Sequence, residues 1–202
     1  MSTTAAPRTT PSEKSVRGGH LIALLAALAA MYGTGIGFLL VQESGDYGVW
    51  APLSDAASAL FALAVLTLAL RVGRDFERAG QSASRPWAVV GVIGAGLTAL
   101  ASLALVLSDT GVLELPGAPL GAQFVGFAIV GVWLAAVGAM TLRSGRWSRV
   151  AGWAALIGGV GQAAGMVFTA LGMYTSPLFG VAFLATVAGM VTWAVSLLRA
   201  SE

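Results

Sequence analysis

The feature that most limits what this chain can fold into is a succession of six apolar runs, at about residues 21–41, 51–70, 87–107, 121–142, 150–171 and 177–198. A helix rises ~1.5 Å per residue, so crossing a hydrocarbon layer of ~30 Å takes ~20 apolar residues, the approximate length of each run. Hydrophobic residues make up 57% of the 202 and charged residues only 10%, with a mean hydropathy of +0.84, too little polar surface to clothe a soluble globule. The expectation is an all-α fold: a polytopic membrane helical bundle of six transmembrane helices forming one domain over residues 20–199. The Ser-, Thr- and Pro-rich segment 1–19 lacks bulky apolar side chains and reads as a disordered tail. Basic residues before the first run and the "ALA" at Ala27 to Ala29 imitate a signal peptide. The run continues to Val41, however, which is the length of a full, uncleaved span.

The charges say which way the bundle should lie. Arg8, Lys14 and Arg17 precede the first run, Arg71, Arg74, Arg78 and Arg85 join the second to the third, Arg143, Arg146 and Arg149 join the fourth to the fifth, and Arg199 follows the sixth. These are all 11 basic residues, and they alternate with connections that hold Glu43, Asp46, Asp109 and Glu114 and no cation. Loops retained in the cytoplasm are enriched in Lys and Arg, so both termini are expected there. The pI of about 9.5 is then a topological bias and not the footprint of a nucleic-acid partner. Pro52, Pro86, Pro119 and Pro177 fall near the first turns of expected helices, where a missing N–H costs nothing, and no proline interrupts a run. Trp50, Tyr47 and Tyr174 at one boundary, and Trp87, Trp147 and Trp153 at the other, fit interfacial aromatic belts.

Composition also closes off chemistry. With no cysteine, one histidine (His20) and one lysine (Lys14, in the tail), the chain offers no disulfide, thiolate, bis-histidine haem, multi-histidine metal centre or intramembrane Schiff base. No nucleophile and base set is recognisable, so an enzyme is not expected, nor are a cofactor or a metal. The glycines of "YGTGIGF" imitate a dinucleotide-binding pattern but lie mid-span, without the strand and aqueous helix that pattern requires.

Polar residues inside the runs are the remaining candidates. Asp55, in "PLSDAAS", is the one acid placed within a span. It is a functional candidate because an intramembrane charge is expensive, yet it also lies near a helix N-terminus, where the macrodipole favours a carboxylate. Gln123 has a similar expected depth. Gln162, in "LIGGVGQAAGMVF", sits beside a stripe of small residues, Ala154, Gly158, Gly161, Gly165, Thr169 and Gly172. It reads either as glue bonded to a neighbouring helix or as the lining of a polar pocket. Asp55, Gln123 and Gln162 together define a possible solute or cation pathway opening outward, with Glu43, Asp46, Asp109 and Glu114 drawing cations to its mouth. The stripe, with Gly33 and Gly37 on the first helix and Gly131, Ala135 and Gly138 on the fourth, is expected to pack helices, within the bundle or in a homo-oligomer. Arg71, Arg74, Arg78, Arg143, Arg146 and Arg149 are topogenic anchors and candidate contacts for anionic lipid.

The segment "LRSGRWSRVAGWAALIGGVGQAAG", followed by "SPLFGVAFLATVAGMVTWAVSLLRA", resembles an actinobacterial-type family of bacterial six-span membrane proteins of unknown function. In that family a basic "R-S-G" turn precedes a glycine-rich helix, and the last helix ends in a Trp- and Leu-rich segment with Arg. The resemblance covers residues 143–199. It implies a multi-pass protein of the bacterial plasma membrane and carries over no catalytic residue. Two functions are left open: a structural or interaction component of that membrane, with a homo-oligomer or another membrane protein as partner, and a small carrier or channel for a cation or small solute.

Overall fold

The computed structural model describes residues 11–41, 48–81, 84–114, 117–173 and 175–199; within these, the side chains at 11–18, 20, 35, 38–41 and 118 lie outside the description. Six helices account for nearly all of it: α1 (Pro11–Val41), α2 (Trp50–Arg78), α3 (Ser84–Asp109), α4 (Ala118–Ser144), α5 (Arg149–Ala170) and α6 (Pro177–Arg199). Helices α2 to α6 are each long and apolar enough to cross a membrane, and α1 contributes the apolar segment Leu21–Thr34 within its described side chains. Polypeptide lined with this much outward-facing Leu, Ile and Val, such as Leu100, Leu171, Val181 and Leu184, belongs against lipid.

Two boundaries differ from the apolar runs. Helix α1 is described from Pro11 onward, so it extends through part of the segment read as a disordered tail. Helix α2 continues past Leu70 to Arg78. In that extension Val72 and Phe76 are buried while Arg74, Glu77 and Arg78 are exposed, an amphipathic stretch that apolarity alone does not mark. The tight "RSGRWS" connection follows local rules. Gly145 takes the left-handed φ of 63° that closes α4, donating its N–H to the Thr141 carbonyl at 3.0 Å. Ser148 then caps α5 by accepting from the Ala151 N–H at 3.1 Å.

Consecutive helices pack side by side, and α1 returns to touch α6 sparsely. The result is a six-helix ring with the arginine-bearing connections at one end and the acidic ones at the other. Phe61, Val65, Phe127, Val130, Trp133, Leu134 and Trp193 fill its interior. Glycine sets how closely the neighbours approach. A Cβ on Gly73 would lie 2.5 Å from that of Ala88, between α2 and α3, and one on Gly94 would lie 2.9 Å from the Val130 N, between α3 and α4. One on Gly131 would lie 2.6 Å from the Ala163 N, between α4 and α5, and one on Gly161 would lie 2.7 Å from the Ala182 O, between α5 and α6. Such backbone contact supplies the van der Waals attraction that holds helices together where lipid is as apolar as the side chains. From α2 to α6 the ring is therefore interlocked. The described part of the α1–α6 seam has no such glycine contact and is bridged by the edge-to-face pair Tyr32 and Phe183, with ring centroids 5.0 Å apart.

The individual glycines sort by direction. Gly158 faces Gly189 of α6, and Gly37 of α1 lies against the Trp50 ring. Gly33 is exposed, and a Cβ there would meet no described residue within 4 Å. Gly172 lies beyond α5 with φ of 70°, a turn residue and not part of the stripe.

Candidate functional site

The polar residues of the bundle interior separate into three states. Thr98, Thr141 and Thr186 are buried but donate to carbonyls one turn back in their own helices, Gly94, Val137 and Ala182, at 2.8 to 2.9 Å. They satisfy themselves and read as packing residues.

The second state is a network across three helices near the acidic end. The Gln123 amide nitrogen, on α4, donates to Asp55 Oδ1 of α2 and to Ser102 Oγ of α3, each at 2.9 Å. Gln123 is 5% exposed and Ser102 fully buried, so both N–H donors of the amide are engaged away from water. The Asp109 carboxyl, at the last residue of α3, lies near enough to Asp55 for the two acids to interact. Chemically this ties three helices at one level, because an amide bonded to a carboxylate and a hydroxyl fixes both the rotation and the height of each helix. Glu114 is exposed on the connection that follows, and Glu43 and Asp46 lie outside the described residues.

The third state is Gln162. It is 4% exposed, and no hydrogen bond joins its side chain to a described residue; the fully buried side-chain polar atom without a partner among the described residues is Trp193 Nε1. Its side chain lines a partly open cavity of about 190 Å³. Helix α1 contributes Met31 and Tyr32, α2 Ser58, α4 Phe127, α5 Gln162, Gly165 and Met166, and α6 Phe179, Phe183 and Thr186. Ser58 is buried and lines the same cavity. Gly165 opens onto this space: a Cβ there would meet only that of Ala182, at 3.9 Å. Gln162 stands eight residues before the end of α5 at Ala170, about 12 Å of helix, close to the middle of a ~30 Å hydrocarbon layer.

Structure thus brings Asp55 and Gln123 into direct contact and leaves Gln162 elsewhere. Neither Asp55 nor Gln123 lines the cavity, although the two sites are stacked: Ser58 lies one turn inward of Asp55, and Phe127 one turn inward of Gln123. No group of three or more His, Cys, Asp or Glu side chains suited to a metal ion occurs among the described residues. Sequence reasoning did not single out Ser102 or Tyr32, and it offered Ser58 only as a group that could help solvate Asp55. A serine in an apolar run carries no signal of a tertiary bond, because it more often bonds its own helix.

At the arginine end, Arg74 and Arg85 flank a groove between α2 and α3 of about 370 Å³, floored by Leu70, Ala88, Val89 and Val92. Glu77 also lines it and approaches Arg85 at 3.9 Å, an exposed pair that contributes little. Arg71 is half-buried, while Arg78, Arg143, Arg146 and Arg149 are exposed.

No protein-family model matches the chain, and no curated protein or solved structure matches it.

Proposed function

We propose that the protein is a multi-pass membrane protein that binds a small solute near the bilayer midplane, in the manner of a small carrier. The carrying observation is the unbonded, 4% exposed amide of Gln162 facing the cavity. No hydrogen bond to a described residue ties this amide to a neighbouring helix, as a packing role would require, and the cavity it lines offers room for water or a solute to bond it. Midplane sites between helices are where carriers hold their cargo. This reading favours the small solute over the cation, because no described acid lines the cavity and Asp55 is engaged with Gln123. The alternative, a structural or interaction component of the membrane, draws on the glycine contacts from α2 to α6. Those contacts are needed by any such bundle and do not account for the cavity.

The rest of the reading follows from charge and resemblance. The arginine end is assigned to the cytoplasm by the bias of basic loops, in the plasma membrane of a bacterium. The groove at Arg74 and Arg85 suits an anionic lipid headgroup, with its acyl chain on Leu70 and Val89. The absence of cysteine makes a direct test available. In Gln162→Cys the new thiol, reached through the cavity, reacts with a small methanethiosulfonate reagent in membranes, whereas that of Val137→Cys, at a fully buried position, does not. Equal inertness of the two variants would remove the reading.

A further inference from the structure

We propose that the cavity at Gln162 is built for a neutral, single-ring-sized molecule that carries one hydrogen-bonding group, received by the Gln162 amide and the Ser58 hydroxyl. This rests on the solute-binding reading and specifies its ligand class.

Size sets the first limit. A cavity of about 150 Å³ lined by apolar side chains accommodates benzene. At about 190 Å³ this one has room for a ring with a substituent, or for a compact branched aliphatic molecule, and not for a lipid or a nucleotide. Lining chemistry sets the second. Tyr32, Phe127, Phe179 and Phe183 supply ring faces and edges, and Met31 and Met166 supply polarisable thioethers that adapt to a flat guest. Among the described residues no charged side chain lines the cavity, and Asp55, one turn outward of Ser58, already accepts from Gln123. An ion would enter without a counter-charge at membrane depth, which is strongly unfavourable, so the guest is neutral.

The polar groups set the third limit. An amide offers both donors and an acceptor, and a hydroxyl offers one donor and two lone pairs. With no hydrogen bond joining the amide to a described residue, a guest that donates or accepts gains a bond, whereas a purely apolar guest of the same shape leaves the amide stranded. The Gln162 amide is therefore the specificity-determining group, and Ser58 is its partner across the cavity. The way in is the α1–α6 seam, the one helix pair in the ring without a described glycine interlock, where the Tyr32 and Phe183 rings meet edge to face.

The test uses the full chain in lipid nanodiscs, with the side-chain amides of glutamine labelled for NMR. Probes are indole, which is neutral and donates; 1-methylindole, nearly the same shape without the donor; and benzyltrimethylammonium, a ring bearing a fixed charge. Indole is expected to shift the Gln162 amide signal, to bind roughly tenfold more tightly than 1-methylindole, and to outcompete the cation. Gly165→Leu, which grows into the cavity, abolishes the indole response, and Gln162→Leu removes the preference for indole over 1-methylindole while leaving binding of the rings. Equal binding of the two indoles by the unaltered protein overturns the polar handle, and tighter binding of the cation overturns neutrality. If Gln162→Cys is labelled but no probe binds, the ligand class falls and the solute-binding reading stands. If that thiol is inert as well, both fall.

Discussion

Replacing Gly159 by alanine places a methyl group where two helices have no room for it. The Cβ would press on the Ala135 N, 2.5 Å from the Gly131 O and 2.9 Å from the Ala135 Cα, all backbone atoms of α4 that cannot rotate away. Ordinary contact begins near 3.4 Å, so α4 and α5 must part locally by ~1 Å. A gap of that size forfeits a quarter to a half of each pair attraction of ~0.15 kcal/mol. Over ~40 pairs, about the number one buried leucine makes, the loss is ~1.5–3 kcal/mol. Overpacking a well-filled core costs a similar ~1–3 kcal/mol. Gly165→Ala is the matched control on the same helix. Its Cβ lies 3.9 Å from its nearest neighbour, so the change is expected to be neutral or, through helix propensity, up to ~1 kcal/mol stabilising. Unfolding by SDS from mixed micelles, followed by circular dichroism, compares the two. A Gly159→Ala midpoint indistinguishable from that of Gly165→Ala would refute the claim that α4 and α5 meet backbone to backbone.

Other expected outcomes follow from the same geometry. Gln162→Leu should leave stability unchanged or raise it in the same assay, because no protein bond is lost; a drop of ~0.6–2 kcal/mol would mean that the amide bonds another helix. Gln123→Leu strands the Asp55 carboxyl and the Ser102 hydroxyl together and should cost ~1–3 kcal/mol, whereas Asp55→Asn, which keeps an acceptor for the Gln123 amide, should cost less. Trp147→Ala removes the edge contact with Phe76, centroids 5.1 Å apart, and should lose ~0.5–1.5 kcal/mol beyond the area exposed. Arg74→Gln combined with Arg85→Gln should diminish retention of phosphatidylglycerol in native mass spectrometry while leaving phosphatidylcholine retention unaltered.

What could be read without coordinates was whatever depends on spacing along one helix. Run lengths marked the six helices, and Arg143, Arg146 and Arg149 marked the connection between α4 and α5. What could not be read was azimuth, the direction each helix turns toward its neighbours. The stripe through Gly158, Gly161 and Gly165 is real as a periodicity, yet its members do different things: Gly158 and Gly161 touch α6, and Gly165 opens onto the cavity. The tightest α4 contact falls instead to Gly159, one residue and ~100° around the helix from Gly158. Adjacent glycines make both faces small, so composition does not say which face meets which helix. Depth placed Asp55 and Gln123 at one level, but only the rotation of α2 and α4 makes them partners and leaves Gln162 without one. The helix before residue 21 was hidden for another reason, since apolarity marks where a helix enters lipid and not how far it extends beyond it.

Glutamine offers the most direct measurement of the central claim. The chain has four glutamines, Gln42, Gln81, Gln123 and Gln162, and no asparagine, so nitrogen-15 side-chain amide spectra contain only four sites. In water-edited solid-state NMR of the protein in bilayers, magnetisation starting on water should reach the Gln162 amide nearly as fast as that of Gln81, which is half-buried in the α2–α3 connection. Gln123, held by Asp55 and Ser102, should be slow and serves as the internal reference for a bonded, dry amide. A Gln162 signal as slow as that of Gln123 would show the amide sealed within protein and would contradict the account.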